Sequence, residues 1–237
     1  MPEETNSLSL GPVLKAAHAM QNVLLLLQAH TEMLQQQVDA NTSTKNKPGA
    51  VMVKEVQSIY FNTRRLSKLL DSLLIYSQSE SGEFSLKKEA IDICDLLISL
   101  VQEYRTAFPK ILFILRVPAS LFLTIDKQKV TIALRNILEN AIKYGATKLF
   151  TQEIFVKVSV SESSYCLITI SDRGPGIDNQ DIAKVFLPFY RGKSGINNQG
   201  SGLGLAITQE IVRLHNGSVN LRTKPNGGLE VKVTLPL

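Results

Sequence analysis

Three clusters near the C-terminus combine residue types that could together bind a nucleotide. In the first, Asn136, Glu139, Asn140 and Lys143 are spaced three or four residues apart, so most of them share one helical face. Amide oxygens suit a divalent metal ion and an ammonium group suits phosphate oxygens, so this face favours a Mg²⁺–phosphate complex. The alternative is a helix with an ordinary polar side.

The other two clusters are rich in glycine. Asp172-Arg-Gly174-Pro-Gly176 follows an alternating strand pattern, and a carboxylate at a strand end can accept a hydrogen bond from a purine amino group. Gly200-Ser-Gly202-Leu-Gly204 precedes a helix whose first N–H groups would face phosphates. The alternatives are a simple turn and a flexible loop. No Gly-Lys-Ser/Thr follows, so the third cluster does not fit the Walker lysine motif.

The elements that must position these clusters predict an α+β two-layer fold, with helices on one face of a largely antiparallel sheet. The residue pattern predicts three helices, at 91–104, 127–144 and 201–215, the last followed by Asn216-Gly217. Alternating or β-rich segments predict five strands, at 121–125, 154–160, 166–170, 218–223 and 229–235. The Pro225-Asn-Gly-Gly228 turn predicts that the last two strands form a hairpin.

The first part of the chain has a different pattern. A long helix is predicted from residue 8 to about 40, followed by a polar turn over 41–49. A second helix carries a heptad seam of Val56, Ile59, Thr63, Leu66, Leu70 and Leu73. A hairpin cannot cover both apolar stripes, so a homodimeric four-helix bundle is expected. With a linker over 77–82, the expected domains are 8–80 and 81–237.

Composition excludes several other classes of protein. The 237 residues are 44% hydrophobic, which allows a substantial core and excludes wholesale disorder. The net charge of +5 is not concentrated in a Lys/Arg block, which argues against nucleic-acid binding. Cys94 and Cys166 are expected to be reduced core residues. The apolar run of residues 23–27 is too short to span a bilayer, so a cytoplasmic chain with no membrane span is expected.

The ordered clusters resemble the ATP-binding domain of sensor histidine kinases, within the wider Bergerat-fold ATPase superfamily. The segment 136–144 resembles the N box, 172–176 the G1 box and 200–204 the G2 box. Phe186-Leu-Pro-Phe189-Tyr-Arg191 resembles the F box, which in this family lies between the last two. The resemblance implies an α-helical hairpin followed by a Bergerat-type α+β sandwich, and it implies ATP and Mg²⁺ as cofactors.

The resemblance also implies a role for each matched residue. Asn140 would hold Mg²⁺, Asn136 and Lys143 would support the phosphates, and Asp172 would read the adenine amino group. Arg191, with Lys143, would act in catalysis, and the 193–204 segment with Arg191 would form the ATP lid. The remaining residues expected to bind the cofactor are Tyr144 near the adenine and, along the glycine-rich and F-box segments, Gly174, Gly176, Ile177, Phe189, Gly200, Gly202, Leu203 and Gly204.

A histidine kinase also needs a phosphoacceptor, and the resemblance implies His18. In the family the acceptor is followed fourteen residues later by an acidic residue and two apolar ones. From His18 that position is Glu32-Met33-Leu34, whereas from His30 it is Thr44. His215 lies at a helix end, where C-capping is expected. A plain surface histidine is the alternative for His18.

The segment around His18 departs from the family pattern. Ala19 replaces the acidic neighbour that takes the imidazole proton, and Val23 replaces a proline. Asn22 remains, at the position that in the family orients a water for dephosphorylation of the response regulator. A general base contributes about 10²–10⁴-fold, but phosphoryl transfer depends mainly on alignment and charge neutralisation. A weak or conditionally active kinase with phosphatase capacity is therefore expected.

The sequence thus predicts a two-component kinase core that autophosphorylates on His18 and passes the phosphoryl group to an aspartate of a response regulator. A degenerate kinase that binds nucleotide and a receiver partner, or acts as a phosphatase without autokinase activity, is the alternative favoured by Ala19. Another Bergerat ATPase, such as an anti-sigma-factor serine kinase, is disfavoured by the N-terminal helical hairpin.

Overall fold

The computed structural model of the chain describes residues 85–145, 151–192, 201–225 and 227–237, together with shorter stretches between residues 20 and 66. The chain divides into two compact units, Met1–Ser77 and Gln78–Leu237. In the first unit the described residues are 20, 22–27, 29–34, 36, 59, 63 and 66, and all are helical. Three of the six residues of the predicted heptad seam, Val56, Leu70 and Leu73, lie outside them. No helix among the described residues is long and apolar enough to cross a membrane.

The second unit contains seven strands and four helices among its described residues. In chain order they are β1 (Glu89–Asp92), α1 (Ile93–Ala107), β2 (Leu112–Arg116), β3 (Phe122–Ile125), α2 (Lys127–Tyr144), β4 (Glu153–Val160), β5 (Tyr165–Ser171), α3 (Asn179–Ile182), α4 (Gly204–Leu214), β6 (Ser218–Thr223) and β7 (Leu229–Pro236).

The main sheet has five strands in the order β2-β4-β5-β7-β6, and β1 pairs with β3 in a separate two-stranded sheet. The prediction of a largely antiparallel sheet is correct for three of the four strand pairs in the main sheet. The exception is β2, which pairs parallel with β4. Sequence patterning missed β2 because Leu112-Phe-Ile-Leu-Arg116 is a short apolar run without alternation.

One continuous core lies between one face of this sheet and the helices. The inward residues of β4, β5 and β7 alternate with outward ones, and the buried residues of α1 and α2 pack against them. Leu97, Leu134 and Ile168 are each at most 1% exposed. Burial of such a side chain contributes about 1.5–3 kcal/mol, so these residues of α1, α2 and β5 help to hold the two helices against the sheet.

Aspartates begin the two long helices. Asp126 Oδ1 accepts from the N–H of Lys129 at 3.1 Å, and α2 has the bounds that its amphipathic pattern predicts. Asp92 Oδ1 accepts from the N–H of Cys94 at 2.9 Å. The helix predicted over 91–104 therefore begins two residues later, and residues 91 and 92 belong to β1. Cys94 and Cys166 are buried and unbridged, as predicted.

His215 joins the ends of two helices. Its Nδ1 lies 2.7 Å from the carbonyl oxygen of Ile211, and its Nε2 accepts from the N–H of Asp126 at 3.0 Å. This pattern requires a neutral ring with the proton on Nδ1. His215 is 1% exposed, and burial lowers its pKa. The predicted C-cap is thus confirmed, and the same side chain also ties α4 to the start of α2.

Candidate functional site

The site is built where the two amphipathic helices α2 and α4 meet. Asn136 Nδ2 donates to the carbonyl oxygen of Gly204 at 3.1 Å, which links the middle of α2 to the first residue of α4. The same carbonyl accepts from Thr208 Oγ1 at 2.8 Å. The helix predicted from residue 201 thus begins at Gly204, and the preceding residues are an irregular segment.

The first turn of α4 has no side-chain cap among the described residues. Leu203 occupies the N-cap position and makes no side-chain capping hydrogen bond. The first N–H groups of an α-helix have no partners within the helix, so an uncapped N-terminus attracts anions. Because Asn136 adjoins this turn, a phosphate here would meet both backbone N–H groups and a side-chain amide.

The polar residues of α2 do not all face the same neighbour. Glu139 Oε1 accepts from the Tyr104 hydroxyl of α1 at 3.4 Å, so this carboxylate is directed away from Asn136. Burial, together with Glu139, raises the pKa of Tyr104 to about 12. The half-buried Asn140 side chain forms no hydrogen bond with another described residue. Lys143 Nζ lies 4.8 Å from the centroid of the Tyr144 ring, which places the ammonium and the aromatic ring at the C-terminal end of α2.

Asp172 is a buried carboxylate with a fixed orientation. It is 5% exposed, and its Oδ1 accepts from the N–H groups of Gly174 at 2.8 Å and Leu229 at 3.1 Å. Burial raises the pKa of Asp172, although these two hydrogen bonds and the charge of Lys224 act in the opposite direction. Since both bonds use Oδ1, Oδ2 is the oxygen left to accept from a ligand.

Glycines allow Asp172 to lie close to the end of α2. A Cβ on Gly145 would lie 2.7 Å from Asp172 Cβ, and one on Gly174 would overlap the carbonyl oxygen of Tyr144. Gly176 has a φ of 77°, and a Cβ there would lie 2.5 Å from Thr223 Cγ2. The predicted first and second clusters are therefore in direct contact.

The β6–β7 hairpin packs against the glycine-rich turn that follows Asp172. Sequence reasoning did not assign this hairpin to the site. Thr223 Oγ1 accepts from the N–H of Ile177 at 3.0 Å and lies 2.6 Å from the Ile177 carbonyl oxygen, to which it donates. Gly228 has a φ of 93°, and any side chain there would overlap the Asp172 carbonyl oxygen. The Pro225-Asn-Gly-Gly228 turn was visible in the sequence, but only its pairing places it beside Asp172.

The F-box segment is joined to the third cluster. Phe189 has a φ of 63°, and its N–H donates to the carbonyl oxygen of Gly202 at 2.9 Å. Gly202 has a φ of 72°, a conformation that favours glycine. The next residue, Tyr190, donates to Asp181 Oδ1 at 2.7 Å, and Arg191 follows with an exposed side chain.

Two of the predicted site residues, His18 and Gly200, lie outside the described residues, as does 193–199 of the predicted lid. Asn22 is helical and exposed in the first unit. Among the described residues no group of three or more His, Cys, Asp or Glu side chains could hold a metal ion. The oxygen donor on α2 is the amide of Asn140. It fits a Mg²⁺ ion that takes its other ligands from phosphates and water, as Mg²⁺ does in nucleotide complexes.

At the C-terminal end of α2, the second unit has a buried carboxylate acceptor (Asp172), an aromatic ring (Tyr144) and an ammonium group (Lys143). At the middle of α2 it has the Asn136 amide beside the uncapped N-terminus of α4. This order matches a purine nucleotide, in which a base with an amino group and a polyphosphate lie at opposite ends.

Comparison with known proteins agrees with this geometry. Residues 125–237 match the family of histidine kinase-, DNA gyrase B- and HSP90-like ATPases. Over 232 residues the chain is 29% identical to the sensor histidine kinase WalK of Bacillus subtilis, covering 94% of this chain and 36% of WalK. The curated relatives that it matches are longer, and the chain spans between 22% and 48% of their length.

Solved structures show the same fold. The mycobacterial sensor histidine kinase MprB is 26% identical with a TM-score of 0.57, over 62% of this chain and 97% of that one. The histidine kinase ThkA, solved in complex with the response regulator protein TrrA, has a TM-score of 0.66 over 94% of this chain and 60% of that one, at 17% identity. The chain is thus similar to sensor histidine kinases over most of its length, and its residues 125–237 carry a Bergerat-type ATP-binding domain.

Proposed function

We propose that this chain is the kinase core of a two-component signalling protein, which binds ATP with Mg²⁺ and transfers the γ-phosphoryl group to His18. The single observation that carries the nucleotide part is the shared environment of α2: Asp172 with a free Oδ2 at its C-terminal end, and Asn136 beside the uncapped turn of α4. The catalytic unit in this proposal is residues 81–237, and residues 8–80 supply the acceptor.

Each nucleotide group has a partner in this proposal. Asp172 Oδ2 accepts from the adenine amino group, and the Tyr144 ring packs near the base. The backbone can approach the base at Gly176 and Ile177 and at the two hairpin glycines, Gly227 and Gly228. The α4 N-terminus, with Gly200, Gly202, Leu203 and Gly204, meets the phosphates, together with Asn136, Lys143 and Arg191. Phe189 holds Gly202 by its backbone.

Asn140 would hold Mg²⁺ in this arrangement through its amide oxygen. When bound, the ion would neutralise phosphate charge. Lys143 and Arg191 would add the remaining positive charge near the transferred group, which is the main requirement of phosphoryl transfer.

For the transfer itself, a neutral His18 ring nitrogen forms the bond to the γ-phosphorus as the bond to the bridging oxygen breaks and ADP leaves, and the proton on the other ring nitrogen is released to water. A histidine with an ordinary pKa of about 6.5 is largely neutral near pH 7, so the reaction can proceed without the acidic neighbour, at a lower rate. The phosphoryl group then passes to an aspartate of a response regulator. ThkA, which shares this fold, has been solved with such a partner. Asn22, exposed on its helix, would orient the water that hydrolyses the aspartyl phosphate of the response regulator.

A homodimer through residues 8–80 is part of the proposal. In the first unit four large apolar side chains are 45–62% exposed on one short helical stretch, namely Leu24, Leu25, Leu26 and Met33. Exposed apolar side chains in such a group are typical of a helix that packs against further helices.

A second candidate is a degenerate kinase that binds nucleotide and a receiver domain, or dephosphorylates it, without autokinase activity. The observation that favours it is the segment after His18. Ala19 cannot accept a proton, and Val23 is 1% exposed, so the position of the family proline is here a packing position.

One experiment separates the two candidates. The chain is incubated with γ-labelled ATP and Mg²⁺, in parallel with His18→Gln and Asn140→Ala. Acid-labile, alkali-stable label that is lost in both variants supports the kinase. Nucleotide binding without label supports the degenerate module. Label that survives His18→Gln refutes the acceptor assignment.

A further inference from the structure

Asp181 and Tyr190 form a hydrogen bond that the nucleotide roles above do not use. The Tyr190 hydroxyl donates to Asp181 Oδ1 at 2.7 Å, and Asp181 is 9% exposed. This hydrogen bond raises the pKa of the Tyr190 phenol. A buried carboxylate is costly unless its oxygens have donors, so the contact fixes the phenol relative to α3.

The Tyr190 backbone lies against the third cluster. The N–H of Phe189 donates to the Gly202 carbonyl oxygen. A Cβ on Gly202 would lie 2.7 Å from the Phe189 carbonyl carbon and 2.8 Å from the Tyr190 carbonyl oxygen. Both Phe189 and Gly202 have positive φ values, so this contact depends on a backbone conformation that is uncommon for Phe189 and on one that favours glycine at position 202. The hydrogen bond from the Tyr190 side chain to Asp181 would hold these two backbone segments in place.

The contacts continue from Gly202 to α2. Leu203 is 2% exposed and precedes the uncapped first turn of α4, where the Gly204 carbonyl oxygen accepts from Asn136. On the other side of Tyr190, a Cβ on Gly192 would lie 2.8 Å from Asp181 Oδ2, so the chain after Arg191 passes the same carboxylate. Asp181 therefore contacts the segment that carries Arg191 and, through Tyr190, the segment that leads into α4.

We propose that Asp181 and Tyr190 are positioning residues for the nucleotide phosphates: their hydrogen bond holds the Phe189–Gly202 contact, and with it the first turn of α4 and Arg191, in the arrangement that binds the triphosphate. This inference rests on the proposed function of the site. Neither side chain touches the nucleotide. Since each hydrogen bond to a charged phosphate is worth about 10- to 150-fold in binding, we expect a loss of about 10- to 100-fold in the affinity for ATP when these groups are displaced.

The test compares variants that differ by single groups in the full chain. Tyr190→Phe removes only the hydroxyl, Asp181→Ala removes the acceptor, and Asp181→Asn keeps an oxygen that can accept. Tyr165→Phe is the matched control, because Tyr165 lies on β5, is 39% exposed, and its hydroxyl, unlike its N–H group, donates to no other described residue. The dissociation constants of ATP and of adenosine are measured by calorimetry, and unfolding is followed in urea.

The expected result is a loss of about 10- to 100-fold in ATP affinity for Tyr190→Phe and Asp181→Ala, with adenosine affinity unchanged and ATP affinity largely restored in Asp181→Asn. Tyr165→Phe should match the unmodified chain. Unchanged ATP affinity in Tyr190→Phe overturns the proposal. Equal losses for ATP and adenosine also overturn it, since they indicate a general structural role. Failure of the unmodified chain to bind ATP refutes the proposed function itself.

Discussion

Asp172 offers the sharpest test of the nucleotide site, because its two oxygens have different tasks. Oδ1 accepts from two backbone N–H groups, whereas Oδ2 is proposed to accept from the adenine amino group. The substitution Asp172→Asn separates these tasks. The two N–H donors hold the amide oxygen at the Oδ1 position, so the amide NH₂ takes the place of Oδ2 and presents a donor to a donor.

The expected magnitudes follow from these contacts. Burial raises the pKa of Asp172, which means that folding loses free energy by desolvating the carboxylate. Replacing the carboxylate with a neutral amide that keeps the Oδ1 bonds should leave the free energy of unfolding nearly unchanged. Loss of a hydrogen bond to a charged group costs about 1.5–3 kcal/mol, which weakens ATP binding by about 10- to 150-fold.

Asp172→Ala is expected to behave differently. It leaves the N–H groups of Gly174 and Leu229 without their acceptor in a buried site, at about 1–3 kcal/mol each. That sum of about 2–6 kcal/mol is a large part of the 5–15 kcal/mol of a typical domain. Weak ATP binding by the Ala variant alone would therefore not identify the adenine contact.

The assay is calorimetric titration of ATP and of inosine triphosphate, with urea unfolding of the same samples. Inosine carries a carbonyl oxygen in place of the adenine amino group, so Asp172→Asn should lose ATP affinity and gain affinity for inosine triphosphate. A folded Asp172→Asn variant that binds ATP with the affinity of the unmodified chain would refute the reasoning. Parallel losses for both nucleotides would refute the assignment of Oδ2 to the amino group.

Three further predictions concern other parts of the chain. Gly202→Ala should lower the free energy of unfolding by about 1–2 kcal/mol in urea titrations, because Gly202 has a φ of 72°; Gly204→Ala, whose Cβ would make ordinary 3.5–3.6 Å contacts with Asn136, is the control with little effect. Burial lowers the pKa of His215 below its usual 6.5, so the unfolded state binds the proton first and stability should fall as the pH drops below that value. His215→Asn should flatten this dependence between about pH 7.5 and about pH 5.5, and an equally steep slope in the variant would assign the effect to other groups. Ala19→Glu should raise the rate of autophosphorylation, by up to about 10²–10⁴-fold, measured with labelled ATP, and an unchanged rate would show that proton transfer is not limiting.

Elements with strong local signals were predictable from the sequence. The amphipathic period predicted α2 with correct bounds, and alternation predicted β4 and β5 with small errors at their ends. The glycine pair after Pro225 predicted the β6–β7 hairpin. In each case the information lies within a few residues, so no distant contact is needed to read it.

The missed features depend on partners distant in the chain. β2 is defined by its parallel pairing with β4, about forty residues later, and its apolar run fits a buried helix segment equally well. Gln152 donates to the Ile142 carbonyl oxygen at 2.6 Å and closes the end of α2, although its residue type gave no such signal. The hydrogen bond from Tyr190 to Asp181 likewise joins two elements that local patterning treats separately.

The sequence by itself determined which chemistry is available: amides and an ammonium on one helix, a carboxylate before a glycine turn, and a second glycine cluster before a helix. Its motif order was enough to predict the similarity to sensor histidine kinases and their ATP-binding domain, which the comparisons confirm. Only the tertiary structure decided which groups meet. The N–H of Leu229 orients a carboxylate 57 residues earlier, and Asn136 reaches a carbonyl 68 residues later. Such contacts follow from strand register and helix packing, which are properties of the whole core, whereas capping and periodicity are properties of adjacent residues.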